Sequence, residues 1–124
     1  FAVSDTFDAT LEVKQAITMT KTSDLDFGII TSDNTTDVVI AQGDAGAAAF
    51  TLSGESGDAV TVSISDTNLV NGVNTIAAEF DFNNAITLTG GSADLNIGGT
   101  ARTSSATLVA GTYTANVAVD VTYQ

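Results

Sequence analysis

The chain has no cysteine and no histidine among its 124 residues. Thiolate and imidazole nucleophiles are therefore excluded, together with zinc centres built on those ligands. Proline is absent as well, which removes one of the devices that blunt exposed strand edges. Cations are scarce: Lys14, Lys21 and Arg102 stand against 15 acidic residues, for a formal net charge of -12. Three cations cannot build the basic surface that phosphate contacts require, so no nucleic-acid partner is expected. No apolar run approaches the roughly 20 residues that cross a bilayer, and no membrane span is expected. What remains is 44% hydrophobic, enough for an acidic chain to fold rather than stay disordered. Its length fits one domain with a real core. Such acidity keeps a surface hydrated and suits salt-screened surroundings. The start at Phe1 rather than Met leads to the expectation of a removed signal peptide and an exported protein.

The first nineteen residues alternate. Phe1, Val3, Phe7, Ala9, Leu11, Val13, Ile17 and Met19 fall on one face, and polar residues dominate the other. Fully extended, the run would measure roughly 63 Å, whereas a compact domain of this length has a radius of gyration of about 14 Å. The run must break or leave the domain. A division near Glu12 to Gln15 gives residues 1–13 as a departing strand and Ala16 to Lys21 as the first strand of a body spanning 14–124. Asp5 interrupts the stripe and needs a groove mouth or a polar partner.

Further along, Gly28 marks a bulge or a crossing between sheets. Val38 to Ala41 reads as a buried strand, and residues 49–66 read as a hairpin about the GESGD turn. Leu69 to Gly72 reads as a loop with an Asn-Gly turn. Ile76 to Phe82 and Ile86 to Leu88 read as a second hairpin about Asn83-Asn84. Gly90-Gly91 and Gly98-Gly99 read as breaks, and the last strands fall at about 101–109 and at Thr112 to Tyr123. No segment carries a capped helical period. Short strands punctuated by turns every ten residues or so predict an all-β, antiparallel sandwich of immunoglobulin type.

Catalytic and ligand-binding patterns are sparse. Asp24, Asp26, Asp33 and Asp37 supply oxygen ligands without EF-hand spacing, and read as solvated loop carboxylates. Glu79 and Asp81 alternate with Phe80 and Phe82 on the outer face of a strand, with no cleft-building sequence around them. Gly90-Gly91-Ser92 and Gly98-Gly99-Thr100 lack the lysine and helix of a phosphate loop. Asn34-Thr35-Thr36 is a formal glycosylation sequon, and Lys14 and Lys21 are the only lysines available for an isopeptide crosslink. No enzyme, cofactor or metal is expected.

Three ordered motifs carry a resemblance over essentially the whole chain. They are Leu25-Asp26-Phe27-Gly28, Leu95-Asn96-Ile97-Gly98-Gly99, and Gly111-Thr112-Tyr113 leading to Tyr123. They resemble a secreted bacterial family of unknown function akin to the spore coat protein U domain, whose relatives include archaic chaperone-usher pilins. The resemblance implies an incomplete immunoglobulin-like sandwich, completed by the N-terminal strand of a neighbouring subunit. The plugs would be Phe1, Val3, Phe7, Ala9, Leu11 and Val13. The implied partners are other copies of the chain, a periplasmic chaperone and an outer-membrane usher. The implied location is an extracellular, cell-surface fibre. Those pilins commonly carry a disulfide, which this chain lacks. The alternative expectation is a self-contained monomeric sandwich that binds carbohydrate or protein.

Overall fold

The computed structural model describes residues 2–124. It is all-β, with nine strands among the described residues: β1 (Thr18–Ser23), β2 (Val38–Ile40), β3 (Ala48–Ser53), β4 (Ala59–Ile64), β5 (Thr67–Asn71), β6 (Asn74–Asp81), β7 (Ala85–Thr87), β8 (Ser92–Ala101) and β9 (Val119–Tyr123). They form two curled antiparallel sheets. One has the order β1-β3-β8-β6-β5, with β2 also pairing on β8, and the other has the order β7-β4-β9. The core between them is built from Leu52 of β3, Val60 and Val62 of β4, Leu88, and Leu95 and Ile97 of β8. In β4 the alternation is obeyed strictly: Val60 and Val62 are buried, while Thr61 and Ser63 face water.

The two expected hairpins are not hairpins. β3 and β4 follow one another but lie in different sheets, and so do β6 and β7. Alternation says which face of a strand is buried, not which strand lies beside it. The crossing from β3 to β4 depends on Gly54, where a Cβ atom would stand 2.7 Å from the Tyr123 hydroxyl and 2.9 Å from Leu88 Cδ1. The actual hairpin is β5–β6, turning at Gly72 (φ 63°) with Asn71 opposite Asn74. Its first strand occupies the segment expected to be a loop.

Gly98 and Gly99 do not break the chain; β8 runs straight through them. At this point β8 holds β2 on one edge and β6 on the other. A Cβ on Gly99 would meet the Glu79 carbonyl oxygen at 2.7 Å and the Phe27 ring at 3.3 Å. Close backbone approach, not a turn, accounts for the glycines. Gly99→Ala is expected to cost about 1 to 3 kcal/mol by overpacking, read as a lower urea midpoint with unchanged slope.

The last expected strands are also shorter than the pattern suggests. β8 ends at Ala101 and is followed by a single 3-10 turn, so residues 102–109 form no strand. Residues 112–118 carry only an isolated bridge from Thr114 to Val70 before β9 begins. The Thr114–Val70 and Val119–Ile64 pairs are offset by one residue, so the final segment follows β4 and then β5 across a one-residue irregularity. At the other end, β1 begins at Thr18 rather than Ala16. Gly28, with φ 84°, lies outside any strand and so is no paired bulge.

Candidate functional site: an open groove and an unpaired edge

β9 pairs with β4 and with no other strand among the described residues. The Gln124 N–H donates to the Ala59 carbonyl at 3.2 Å, so even-numbered residues of this strand turn their backbone groups toward β4. The N–H and C=O groups of Val119, Val121 and Tyr123 therefore point the other way, along a vacant edge. An unpaired edge of this kind is a template for another strand.

Beside the Val119 end of that edge lies a cleft of about 1060 Å³. Its floor includes Phe50, Ile64, Ile76, Phe80 and Ile97, contributed by both sheets. Leu25 and Phe27 form one wall, and Val117 and Val119 form the other. Phe50, Ile64, Phe80 and Val119 are only half-buried although they pack against the core. The fold thus leaves part of its own interior uncovered.

The N-terminal stripe is outside that cleft. Residues 2–17 form no strand, and Val3, Phe7, Leu11 and Val13 are 96%, 90%, 88% and 82% exposed. Ala9 is exposed with them; Phe1 lies outside the described residues. The extension is nevertheless rooted. The Tyr123 hydroxyl donates to the Gln15 carbonyl and accepts from the Glu55 N–H at 2.8 Å. The Gln15 N–H donates to Glu55 Oε2 at 3.0 Å, and Lys14 pairs with Asp58 while lying over the Tyr123 ring.

The motif residues converge in two places. Leu25 and Phe27 pack against Gly99, where no side chain stands between them and β8. Asp26 accepts the Gly28 N–H at 2.8 Å, which fixes the turn after Phe27. Gly111 (φ 145°) leaves room for the Asn71 side chain, and Tyr113 donates its hydroxyl to the Val109 carbonyl at 2.8 Å. Tyr123 holds the root of the extension at the opposite end of the molecule.

Charged groups serve structure. Arg102 donates Nε and Nη2 to the two oxygens of Glu79 at 2.9 and 2.8 Å, and Nη1 to Asp37 at 3.0 Å. Asp37 also accepts from the hydroxyl and N–H of Ser104. The Ser104 bonds first, and then Arg102, hold the Asp37 carboxyl below its usual range; Arg102 does the same for Glu79. Carboxyls depressed in this way stabilise the fold above their ordinary range near pH 4, and that stability is lost as pH falls through the lower folded values. Arg102→Gln is expected to flatten the dependence of the urea midpoint on pH below about 4. Unchanged pH dependence in the variant would count against the linkage.

Asp24, Asp26, Asp33 and Asp37 do not assemble. Among the described residues no group of three or more potential ligands converges to hold a metal. Lys14 pairs with Asp58 and Lys21 with Asp24, and the bond to Asp58 raises the Lys14 pKa. No helix among the described residues is long and apolar enough to cross a membrane.

A family model described as "Domain of unknown function (DUF4402)" matches residues 17–123, and the chain belongs to that family. No curated protein and no solved structure matches it. The matched span starts at Ile17, so the exposed stripe falls outside it.

Proposed function

We propose that the chain is a structural subunit of an extracellular bacterial fibre, in which residues 1 to about 13 of one copy complete the sandwich of the next. The observation that carries this reading is the pairing of two deficits. An apolar cleft lies open beside an unpaired strand edge, and an apolar stripe lies in solvent. From Val3 to Val13 the stripe reaches roughly 33 Å, the same number of residue steps as from Tyr113 to Tyr123.

The strand order supports it. The order β1-β3-β8-β6 follows A-B-E-D of an immunoglobulin sandwich, β4-β9 follows C-F, and the vacant edge of β9 falls where strand G would lie. The Tyr113 bond to a carbonyl four residues upstream, six residues before β9, has the form of a tyrosine corner on the approach to strand F. The motif resemblance to spore coat protein U-like pilins points the same way. It adds a periplasmic chaperone and an outer-membrane usher as assembly partners.

Polarity favours an open chain over a closed pair. A strand antiparallel to β9 enters with its N-terminus at the Tyr123 end, so the donor's body rests at the far end, away from the acceptor's own root at Gln15. The contact is heterologous and repeats without closing. Insertion of the chain's own extension would run parallel to β9, the reverse of a G strand.

Electron microscopy of the purified full chain tests the reading. Thin filaments that grow with concentration are expected, and they should survive dilution, since burying Phe7, Leu11 and Val13 contributes about 1.5 to 3 kcal/mol each. A monomer at all concentrations up to the millimolar range would favour the self-contained sandwich.

A further inference from the structure

Asp5 is the one charged residue on the apolar face of the extension. An unpaired carboxylate in an apolar groove is strongly unfavourable, so Asp5 needs a polar partner or a place at the groove mouth, and a cation is the partner that compensates its charge most fully. Lys21 is placed to do so. It stands opposite Phe50 in the β1–β3 ladder, and cross-strand partners share a face, so Lys21, though exposed, lies on the face of the sheet from which Phe50 packs against the core. Lys21 lines the cleft. Lys14 lies outside it beside Asp58, and Arg102 is occupied by Glu79 and Asp37.

Resting on the donor-strand reading, we infer that Asp5 of the incoming segment pairs with Lys21 of the receiving subunit, and that this contact sets the register of insertion. Ile17 and Tyr123 both approach Gly54, and β1 and β9 run in opposite directions from there. Lys21 consequently stands level with Val119. Both line the cleft, whereas Met19 and Val121, one step nearer the root, do not. The pair therefore stands at the root end of the cleft, and Val3 of the incoming segment runs on beside Val121 along the vacant edge. With Asp5 at that level, Phe7, Ala9, Leu11 and Val13 lie beside Val117, Ala115, Tyr113 and Gly111, all of which line the cleft. A slip of two residues one way carries Asp5 past its cation. A slip the other way leaves Asp5 two residues short of it, level with Val117. Lys21 now contacts Asp24 at 2.8 Å in a largely exposed pair, so exchanging Asp24 for Asp5 gives up little.

The test is a charge exchange in the full chain. Asp5→Lys and Lys21→Glu are each expected to slow filament growth about tenfold, and the double exchange to restore it to within about threefold, because like charges then become opposite again. Asp5→Lys lies in the exposed extension and leaves the body unaltered; Lys21→Glu is checked by its melting curve as a monomer. Single variants that assemble like the parent, or an exchange as defective as either single, overturn the pairing. Leu11→Asp separates this outcome from failure of the parent reading. If Leu11→Asp assembles normally, donor-strand insertion itself falls; if it blocks assembly while the exchange fails to rescue, only the Asp5–Lys21 contact falls.

Discussion

Leu11→Asp is expected to abolish filaments while leaving a folded monomer. The substitution removes roughly 1.5 to 3 kcal/mol of apolar burial and adds a carboxylate to an apolar groove. Together these lower subunit association by at least about a hundredfold, at 1.4 kcal/mol per decade. The body is untouched, because Leu11 is almost wholly exposed in the free subunit. Val117→Asp is the complementary lesion: it spoils the groove wall and leaves the stripe intact. Each variant alone should stay monomeric. Mixed in equal amounts they should form dimers and stop there, because the one remaining good groove meets the one remaining good stripe once. Light scattering or sedimentation checks this. Filaments from either variant alone, or no dimer from the mixture, would count against complementary sites.

A synthetic peptide of residues 2–13, added to the Leu11→Asp monomer, is expected to raise its melting temperature by about 10 to 20 °C at a hundredfold excess over Kd. The figure follows from mass action. Saturation to that level contributes about 2.7 kcal/mol, and a domain near 100 residues shifts about 4 to 8 °C per kcal/mol. The floor residues Phe50, Ile64 and Phe80, only partly buried in the free subunit, supply the apolar area that the peptide covers. A peptide carrying the Leu11→Asp change should give no comparable shift. Calorimetry reads both, and equal shifts from the two peptides would mean that binding is not through the stripe.

Several elements were legible before any coordinates. The alternation of Val60 and Val62 in β4 identified both the strand and its buried face, and the exposed stripe stood out because it was too long for the domain. Neighbour relations were not legible. Nothing in the residues of β3 distinguishes pairing with β4 from pairing with β1 and β8, since both arrangements bury Ala48 and Leu52. Gly98-Gly99 looked like punctuation because glycine serves turns and close backbone approach equally well. β5 was hidden by the Asn-Gly signal at its end, which belonged to a hairpin with the following strand.

The groove was the hardest feature to foresee. Phe50 and Phe80 have the same sequence signature whether their outer side is covered by the chain itself or left open. The sequence presents Lys21 only as a scarce cation and a lysine open to an isopeptide crosslink. Its position two and four residues beyond Met19 and Ile17, on the apolar parity of the first strand, was the signal available.

The absence of cysteine makes the decisive measurement clean. Cysteines placed at Ala9 and at Ala115, or two residues along at Val117, lie within disulfide reach only if the stripe of one subunit runs beside the final strand of another. Under oxidation the doubly substituted chain is expected to give a ladder of covalent multimers in steps of 12.5 kDa on a non-reducing gel. A bond formed only within single chains, or no bond in either pair, would contradict completion of the fold by a neighbouring copy.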